Sequence, residues 1–475
     1  MKRKVILWGA FAALFAVGFA GCSSTSDTPT PKNVIFFLGD GMGLTTMTAA
    51  RIYKAGEDGE LTMDTLPETA FIKTYSNDAQ VTDSAPSMAA YMTGVKMNNE
   101  VVSMSADTSA FDTNTFTSYV SGADSTCPST NGTAVPTMLE KAKAVGLATG
   151  VVTTTRITHA TPATTYAHIC HRDGENAIAA QLVPNGSGYN SALGAGVDVI
   201  LGGGLSYFQP KTTAGSKRTD TRDLVAEFKT AGYKFVSNKT EFDAVAVSEE
   251  KLVGLFTNSH MSYDLDRLAN AANEPSLADM TSKAIDILKR NKRGMFLMVE
   301  GGRIDHALHE TTARKALQDT VAFDDAIKTA IDKMQVIDPG LKNTLIVVTA
   351  DHDHTLVLNG YAGLTGKTTD ANPGVLGLLR SYIDGVLSTD AGGNPYTIIG
   401  FGNGENRPAT RTALTDAIVF GATYHQEATI PVALGSETHG GGDVFLGAMG
   451  KGAEKFTGVL VNTEVFGLIR GIFGL

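Results

Sequence analysis

The run V34-I-F-F-L-G-D-G-M-G43 decides the architecture. Five unbroken apolar residues suit a strand buried on both faces, as in a parallel sheet. The run then breaks at a glycine and an aspartate. The same pattern recurs at G150-V-V152, V197-D-V-I-L201, M295-F-L-M-V299, L345-I-V-V348 and I430-P-V-A-L434. Between these runs, L277-A-D-M-T-S-K-A-I-D-I-L-K-R290 and residues 313–334 carry apolar positions three and four apart, the period of an amphipathic helix. Alternating strands and helices predict an α/β chain: a three-layer sandwich with a large, mostly parallel central sheet and helices on both faces. Ligands of such sheets gather at the carboxyl ends of the strands.

The residues that follow the runs carry chemistry. They are Asp40 after the first, then His159 and Thr161, then Glu300, Asp305, His306 and His309. Asp351, His352 and His354 come next, and His439 follows the last run. A lone acidic residue after a strand usually caps the next helix. A lone histidine is more often hydrogen-bonded or solvated. Here six of the ten histidines fall at these few strand ends, which capping does not explain. Asp305 and His309 are four apart, so one helical turn aims both at one point. Mixed His and Asp ligands suit zinc, whereas carboxylate and hydroxyl oxygens suit magnesium.

A second stretch, V81-T-D-S84-A-P-S-M-A-A-Y-M-T-G-V-K96, sets a serine before a helical pattern. Residue type alone makes Ser84 a helix cap, with Pro86 in the first turn. No histidine partner stands nearby in the sequence.

Together these segments resemble the alkaline phosphatases, metal-dependent phosphomonoesterases. The matching motifs are V34-I-F-F-L-G-D-G-M-G43, the serine block from Val81 to Lys96, H159-A-T-P162, V299-E-G-G-R-I-D-H-A-L-H309, T349-A-D-H-D-H354 and E437-T-H-G-G-G-D443. They run in the family's order. The resemblance implies two Zn²⁺ and one Mg²⁺ as cofactors. Ser84 would be the nucleophile, forming a phosphoserine. Asp40, Asp351 and His352 would hold one zinc beside it, and Asp305, His309 and His439 the second. Asp40, Thr161 and Glu300 would hold magnesium, and Arg172 would grip the phosphate. His354 would stand behind the ligands, as would His159 and His306, which occupy places where some members carry Asp and Lys. The substrate would be a small phosphate monoester. The alternative is a related phosphodiesterase or sulfatase. S84-A-P86 echoes a sulfatase start, but Met88 stands where sulfatases need Arg, and Arg172 favours a dianionic monoester. The remaining histidines are read more plainly. His168 and His171 orient the Arg172 loop, His425 lies at the surface, and His260 has no role.

The chain has 475 residues, 43% hydrophobic and 19% charged, which is globular composition. A net charge of -10 with no basic block beyond the N-terminus argues against nucleic-acid binding. Lys2, Arg3 and Lys4 precede an uncharged run to Ala20, a signal peptide over residues 1–21. Cys22 after F19-A-G resembles a lipoprotein site. This predicts an exported, periplasmic protein tethered to the outer membrane by a lipid and a flexible stretch at 22–31. Residues 32–475 are read as one catalytic domain with insertions near 98–131 and 357–427. Cys127 and Cys170 either pair or stay as buried thiols. A homodimer follows from family habit alone.

Overall fold

The computed structural model describes residues 32–475; the leader, the tether and Cys22 lie outside the described residues. Ten strands form one sheet. In chain order they are β1 (Lys32–Gly39), β2 (Glu68–Lys73), β3 (Ala148–Arg156), β4 (Val199–Gly203), β5 (Lys234–Val236), β6 (Leu252–Leu255), β7 (Gly294–Gly301), β8 (Thr344–Ala350), β9 (Val444–Gly450) and β10 (Gly458–Val461). Their spatial order is β10-β2-β9-β8-β1-β7-β3-β4-β6-β5. From β8 through β5 every pairing is parallel. Only β9 runs against its neighbours β8 and β2. The expected mostly parallel sheet is present.

Seven helices matter for the site: α1 (Leu44–Ala55), α2 (Ser84–Thr93), α3 (Ala160–Ala163), α4 (Leu277–Leu288), α5 (Arg303–His309), α6 (Ala313–Ile337) and α7 (Asn462–Phe473). Adjacent residues of β1 show that two helix layers sandwich the sheet. The Phe36 ring packs 5.4 Å from Tyr91 of α2, and the Phe37 ring 5.9 Å from Phe323 of α6. Successive side chains of a strand point to opposite faces, so α2 and α6 cover opposite sides. Val34 to Leu38 are completely buried, as the unbroken apolar run requires.

Register places the functional strand ends side by side. Gly39 of β1 pairs with Ala350 of β8 on one side and with Gly301 of β7 on the other. Asp40, Asp351 and Glu300 therefore leave three adjacent parallel strands at one level.

One expected strand is elsewhere. Within I430-P-V-A-L434 only Ile430 and Pro431 are in a strand, Ala428–Pro431, at the edge of a separate three-stranded sheet with Leu356–Leu358 and Ile399–Gly404. Ile430 is 59% exposed and Leu434 70%. Pro431 has no N–H to give a second neighbour, which fits an edge and not a central strand. Segment 98–131 holds isolated bridges and one two-residue hairpin. Its Cys127 is disulfide-bonded to Cys170, with the two Cα atoms 5.9 Å apart. This resolves the cysteine alternative in favour of pairing. No helix among the described residues is long and apolar enough to cross a membrane.

Candidate active site

Ser84 is not the cap of its helix. Asp83 is: its Oδ1 accepts the Ala85 N–H at 2.7 Å. Ser84 is the first helical residue, with Pro86 inside the first turn, where a missing N–H costs nothing. All ten residues of α2 are buried, so the serine rests on a fixed platform. Its Oγ lies 3.3 Å from Asp40 Oδ1 and 3.3 Å from His352 Nε2.

The tautomers around it follow from the hydrogen bonds. His352 Nδ1 faces the Asp353 carbonyl at 3.2 Å, so Nδ1 carries the proton and Nε2 a lone pair. That lone pair points at Asp40 Oδ1 (3.4 Å) and Asp351 Oδ2 (3.6 Å). Asp351 is held through its other oxygen, which accepts the main-chain N–H groups of Gly41 and His352, each at 3.0 Å. Its Oδ2 is buried with no hydrogen-bond partner among the described residues. Gly41 has φ +64°, and a side chain there would run into the His354 ring.

A second convergence has the same logic. Asp305 and His309 lie one turn apart on α5, with His309 Nε2 3.3 Å from Asp305 Oδ1. A two-residue bridge between Asp353–His354 and His439–Gly440 brings in His439. His439 Nε2 is 3.2 Å from His309 Nε2 and 3.6 Å from Asp305 Oδ1. Both imidazoles give their Nδ1 proton to carbonyls, His439 to Thr82 at 2.8 Å and His309 to Glu437. Three lone-pair atoms thus face one another with no proton between them. Such an arrangement is repulsive without a cation and fits a His/Asp metal site.

His354 is different. Its Nδ1 donates to Glu437 Oε2 at 2.6 Å and its Nε2 to Asp305 Oδ1 at 2.7 Å. Burial disfavours its charge, but the two carboxylates outweigh that and push its pKa up to about 10. With both nitrogens donating, it orients Asp305 and offers no lone pair.

The third cluster lies beyond Asp40. Thr161, on α3, donates to Asp40 Oδ2 at 3.4 Å. Glu300 is fully buried; its Oε2 accepts from Thr155 at 3.1 Å and from Thr153, while Oε1 has no partner among the described residues. Asp40, Glu300 and His159 bring one donor atom each within 4.8 Å of one another. Burial, then the neighbouring Asp40 charge, raises the carboxyl pKa values of Glu300 and of Asp351 well above the ordinary range. Carboxylates crowded this way need a cation to stay ionised. Asp40 presents one oxygen to Ser84 and the other to this cluster.

Arg172 is tied to the residue that precedes the serine. Its Nη1 donates to Asp83 Oδ1 at 3.0 Å and its Nη2 to His159 Nε2 at 3.2 Å. His168 and His171 do brace its loop. His168 links the Ser103 carbonyl (2.7 Å) to Glu140 (2.8 Å), and His171 Nδ1 accepts the Asp173 N–H at 3.2 Å. His306 accepts from Arg303 at 2.8 Å, and His260 contacts the Arg156 guanidinium. Burial lowers the pKa values of His159, His260 and His306 and so favours their neutral forms, with that of His306 lowered to about 3. The sequence reading gave His260 no role, yet its ring lies 4.2 Å from that of His306 and 5.2 Å from that of His159. His425 lies partly at the surface, its side chain 35% exposed, and its Nδ1 donates to the Glu310 carbonyl at 2.6 Å.

Comparison with known proteins decides the family. A sequence model of the family described as alkaline phosphatase matches residues 31–475. The chain belongs to the alkaline phosphatase family. It is 38% identical over 467 residues to the tissue-nonspecific alkaline phosphatase of Gallus gallus, a match covering 90% of this chain and 82% of that one. The human tissue-nonspecific isozyme is 37% identical, covering 91% and 82%. Among solved structures, the alkaline phosphatase of the Antarctic bacterium TAB5 aligns with TM-score 0.64 and 25% identity, covering 94% of this chain and 99% of that one. The alkaline phosphatase of Thermus thermophilus shares the fold, with TM-score 0.67 and 24% identity over 98% of this chain and 96% of that one. This alkaline phosphatase is therefore a metal-dependent hydrolase of phosphate monoesters. The sequence reading quoted Asp83 and Glu437 within motifs and named His260, but gave none of the three a role. Of these, Asp83 carried a signal, being a preferred capping residue directly before the helix.

Proposed function

We propose that this alkaline phosphatase hydrolyses its ester through a phosphoserine on Ser84, with zinc held by Asp40, Asp351 and His352 and by Asp305, His309 and His439. Magnesium would be held by Asp40, Thr161 and Glu300. Bound there, the ions supply Lewis-acid stabilisation of charged oxygens. The observation carrying the reading is the surroundings of His352 Nε2. It meets Ser84 Oγ at 3.3 Å with two carboxylates on the same side of the ring. In a serine–histidine–aspartate triad the carboxylate stands behind Nδ1, which here faces only a carbonyl. The donor set thus argues for metal ligation by His352 and against general-base catalysis. Magnesium is supported by a variant of the TAB5 enzyme solved with Mg bound in a site named M3.

The chain's own residues then do the following. The start of α2 presents Ser84 Oγ at the positive end of the helix dipole, where negative charge is favoured. Arg172, with its fork of donors, takes two phosphoryl oxygens and aligns the phosphorus with Ser84. Ser84 Oγ bonds to phosphorus as the alcohol leaves. Water then cleaves the phosphoserine, returning the serine hydroxyl and inorganic phosphate.

The sequence further supports export, a lipid on Cys22 at the outer membrane and residues 32–475 as one catalytic domain, while assembly as a homodimer follows from family habit alone. The deciding experiment is turnover of p-nitrophenyl phosphate against bis-p-nitrophenyl phosphate and p-nitrophenyl sulfate, with metal analysis of the same sample. Preference for the monoester, two zinc and one magnesium per chain, and a phosphoserine lost in Ser84→Ala are expected. Full activity in Ser84→Ala would end the reading.

A further inference from the structure

The segment after α2 carries an unusual residue. Glu100 has φ +72°, a left-handed conformation that a side chain rarely adopts. Observed backbone strain of this kind calls for a functional account. Two main-chain bonds exploit it. The Glu100 N–H donates to Asp83 Oδ2, and the Glu100 carbonyl accepts the Arg172 N–H at 2.8 Å. Next to them Val102 and Ile169 exchange both main-chain hydrogen bonds, each at 3.0 Å. The chain at 100–102 is therefore a splint for the chain at 169–172. Glycine would satisfy all of this, so the backbone does not explain the carboxylate.

The side chain points back to the same partner. Glu100 Oε2 lies 4.0 Å from Arg172 Nε, on the edge of the guanidinium away from the Nη1 that bonds Asp83. We propose that Glu100 is a positioning residue for Arg172: its carboxylate draws on the Nε edge of the guanidinium and offsets its charge, setting how tightly the site holds a phosphoryl dianion and inorganic phosphate. The inference rests on Arg172 gripping phosphate.

Charges facing Glu100 support it. Burial, opposed by Arg172 and reinforced by Asp83, Asp173 and Asp78, brings its carboxyl pKa up to about 7. Below that pH the carboxyl is neutral and Arg172 keeps its full attraction. Above it the added negative charge weakens the grip. The group therefore acts as a brake on product retention at alkaline pH.

The test measures inorganic phosphate binding to the metal-loaded enzyme, by competitive inhibition and by calorimetry, at pH 6 and pH 8.5. Glu100→Gln is isosteric, and Glu100→Gly keeps the backbone conformation if the first variant folds poorly. At pH 8.5 both variants are expected to bind phosphate about three- to tenfold tighter than wild type, the size of one screened charge at this range. At pH 6 the difference should vanish. The phosphate's own ionisation cancels in the ratio. An unchanged affinity in both variants, or a change equal at the two pH values, would overturn the proposal. Arg172→Ala separates the two levels. If it leaves phosphate binding intact, the grip itself is wrong. If it weakens binding tenfold while the Glu100 variants match wild type, only the role of Glu100 fails.

Discussion

Arg172 Nη1 donates to Asp83 Oδ1 at 3.0 Å, and that same oxygen caps the helix on which Ser84 is the first residue. One carboxylate thus ties the proposed phosphate-binding arm to the element that carries the proposed nucleophile. Asp83→Ala is expected to cost about 1 kcal/mol through loss of the cap. Asp83→Asn keeps a capping oxygen and should lose less. Denaturant titration of the three proteins checks the order.

Chelation should destabilise as well as inactivate. The lone pairs of His309, His439 and Asp305 face one another, and Asp351 Oδ2 and Glu300 Oε1 are buried with no hydrogen-bond partner among the described residues. If metals are supplied at ~1,000 times their dissociation constants, removing them costs about 4 kcal/mol per site. Thermal denaturation with and without EDTA should show a drop of several degrees, restored by zinc and magnesium together. The drop should persist in Ser84→Ala, which keeps the carboxylate and imidazole ligands.

His159 stands beside Asp40 and Glu300 as a neutral imidazole tied to Arg172. An aspartate there would add negative charge next to the proposed magnesium ligands. His159→Asp is expected to hold magnesium more tightly, and activity against added Mg²⁺ should saturate at lower concentration. Identical curves for the two proteins would remove His159 from the magnesium site.

The pair between His168 and Glu140 gives a pH signature away from the metals. Burial disfavours the His168 charge, but the Glu140 bond outweighs it, so the folded-state pKa is raised. Glu140 is lowered, its bonds to His168, Asn190 and Thr137 outweighing burial. A raised histidine contributes its full stability below its unfolded pKa of about 6.5 and loses it as pH rises through the folded value. The glutamate's share is present above about 4.5 and is lost in acid. His168→Gln should therefore cost most near pH 5.5 and least near pH 9. Melting temperatures across that range should converge at the alkaline end.

The Cys127–Cys170 bond closes a loop with a sequence separation of 43 in the unfolded chain, and its removal frees that loop. Cys127→Ser with Cys170→Ser should lose about 2–4 kcal/mol. Cys170 is two residues from Arg172, so KM should rise more than kcat falls. Unfolding and steady-state kinetics under oxidising buffer test both parts.

What the sequence revealed divides along physical lines. The central strands were legible because burial on both faces demands unbroken apolar runs, as at Val34 to Leu38. Asp305 and His309 were legible because one helical turn relates them. The 430–434 run misled because apolar composition does not say whether a segment lies at the centre of a sheet or on an exposed edge. Ser84 looked like a cap because its type allows it, whereas the neighbouring Asp83 takes the position. His260 and Glu100 were hidden because their contacts, with Arg156 and Arg172, cross 104 and 72 residues of chain. Only the register of parallel strands and the return of the 169–172 segment brings these partners together.

Every residue of the serine's helix is buried, and its platform has little freedom to drift. The segments 98–131 and 357–427 are the opposite, with Phe116, Tyr361 and Leu364 each at least 80% exposed. Heritable change can therefore rewrite these outer segments freely, while the attacking atom stays where it is. Divergence among descendants should accumulate in those outer segments and leave the floor beneath the serine unaltered.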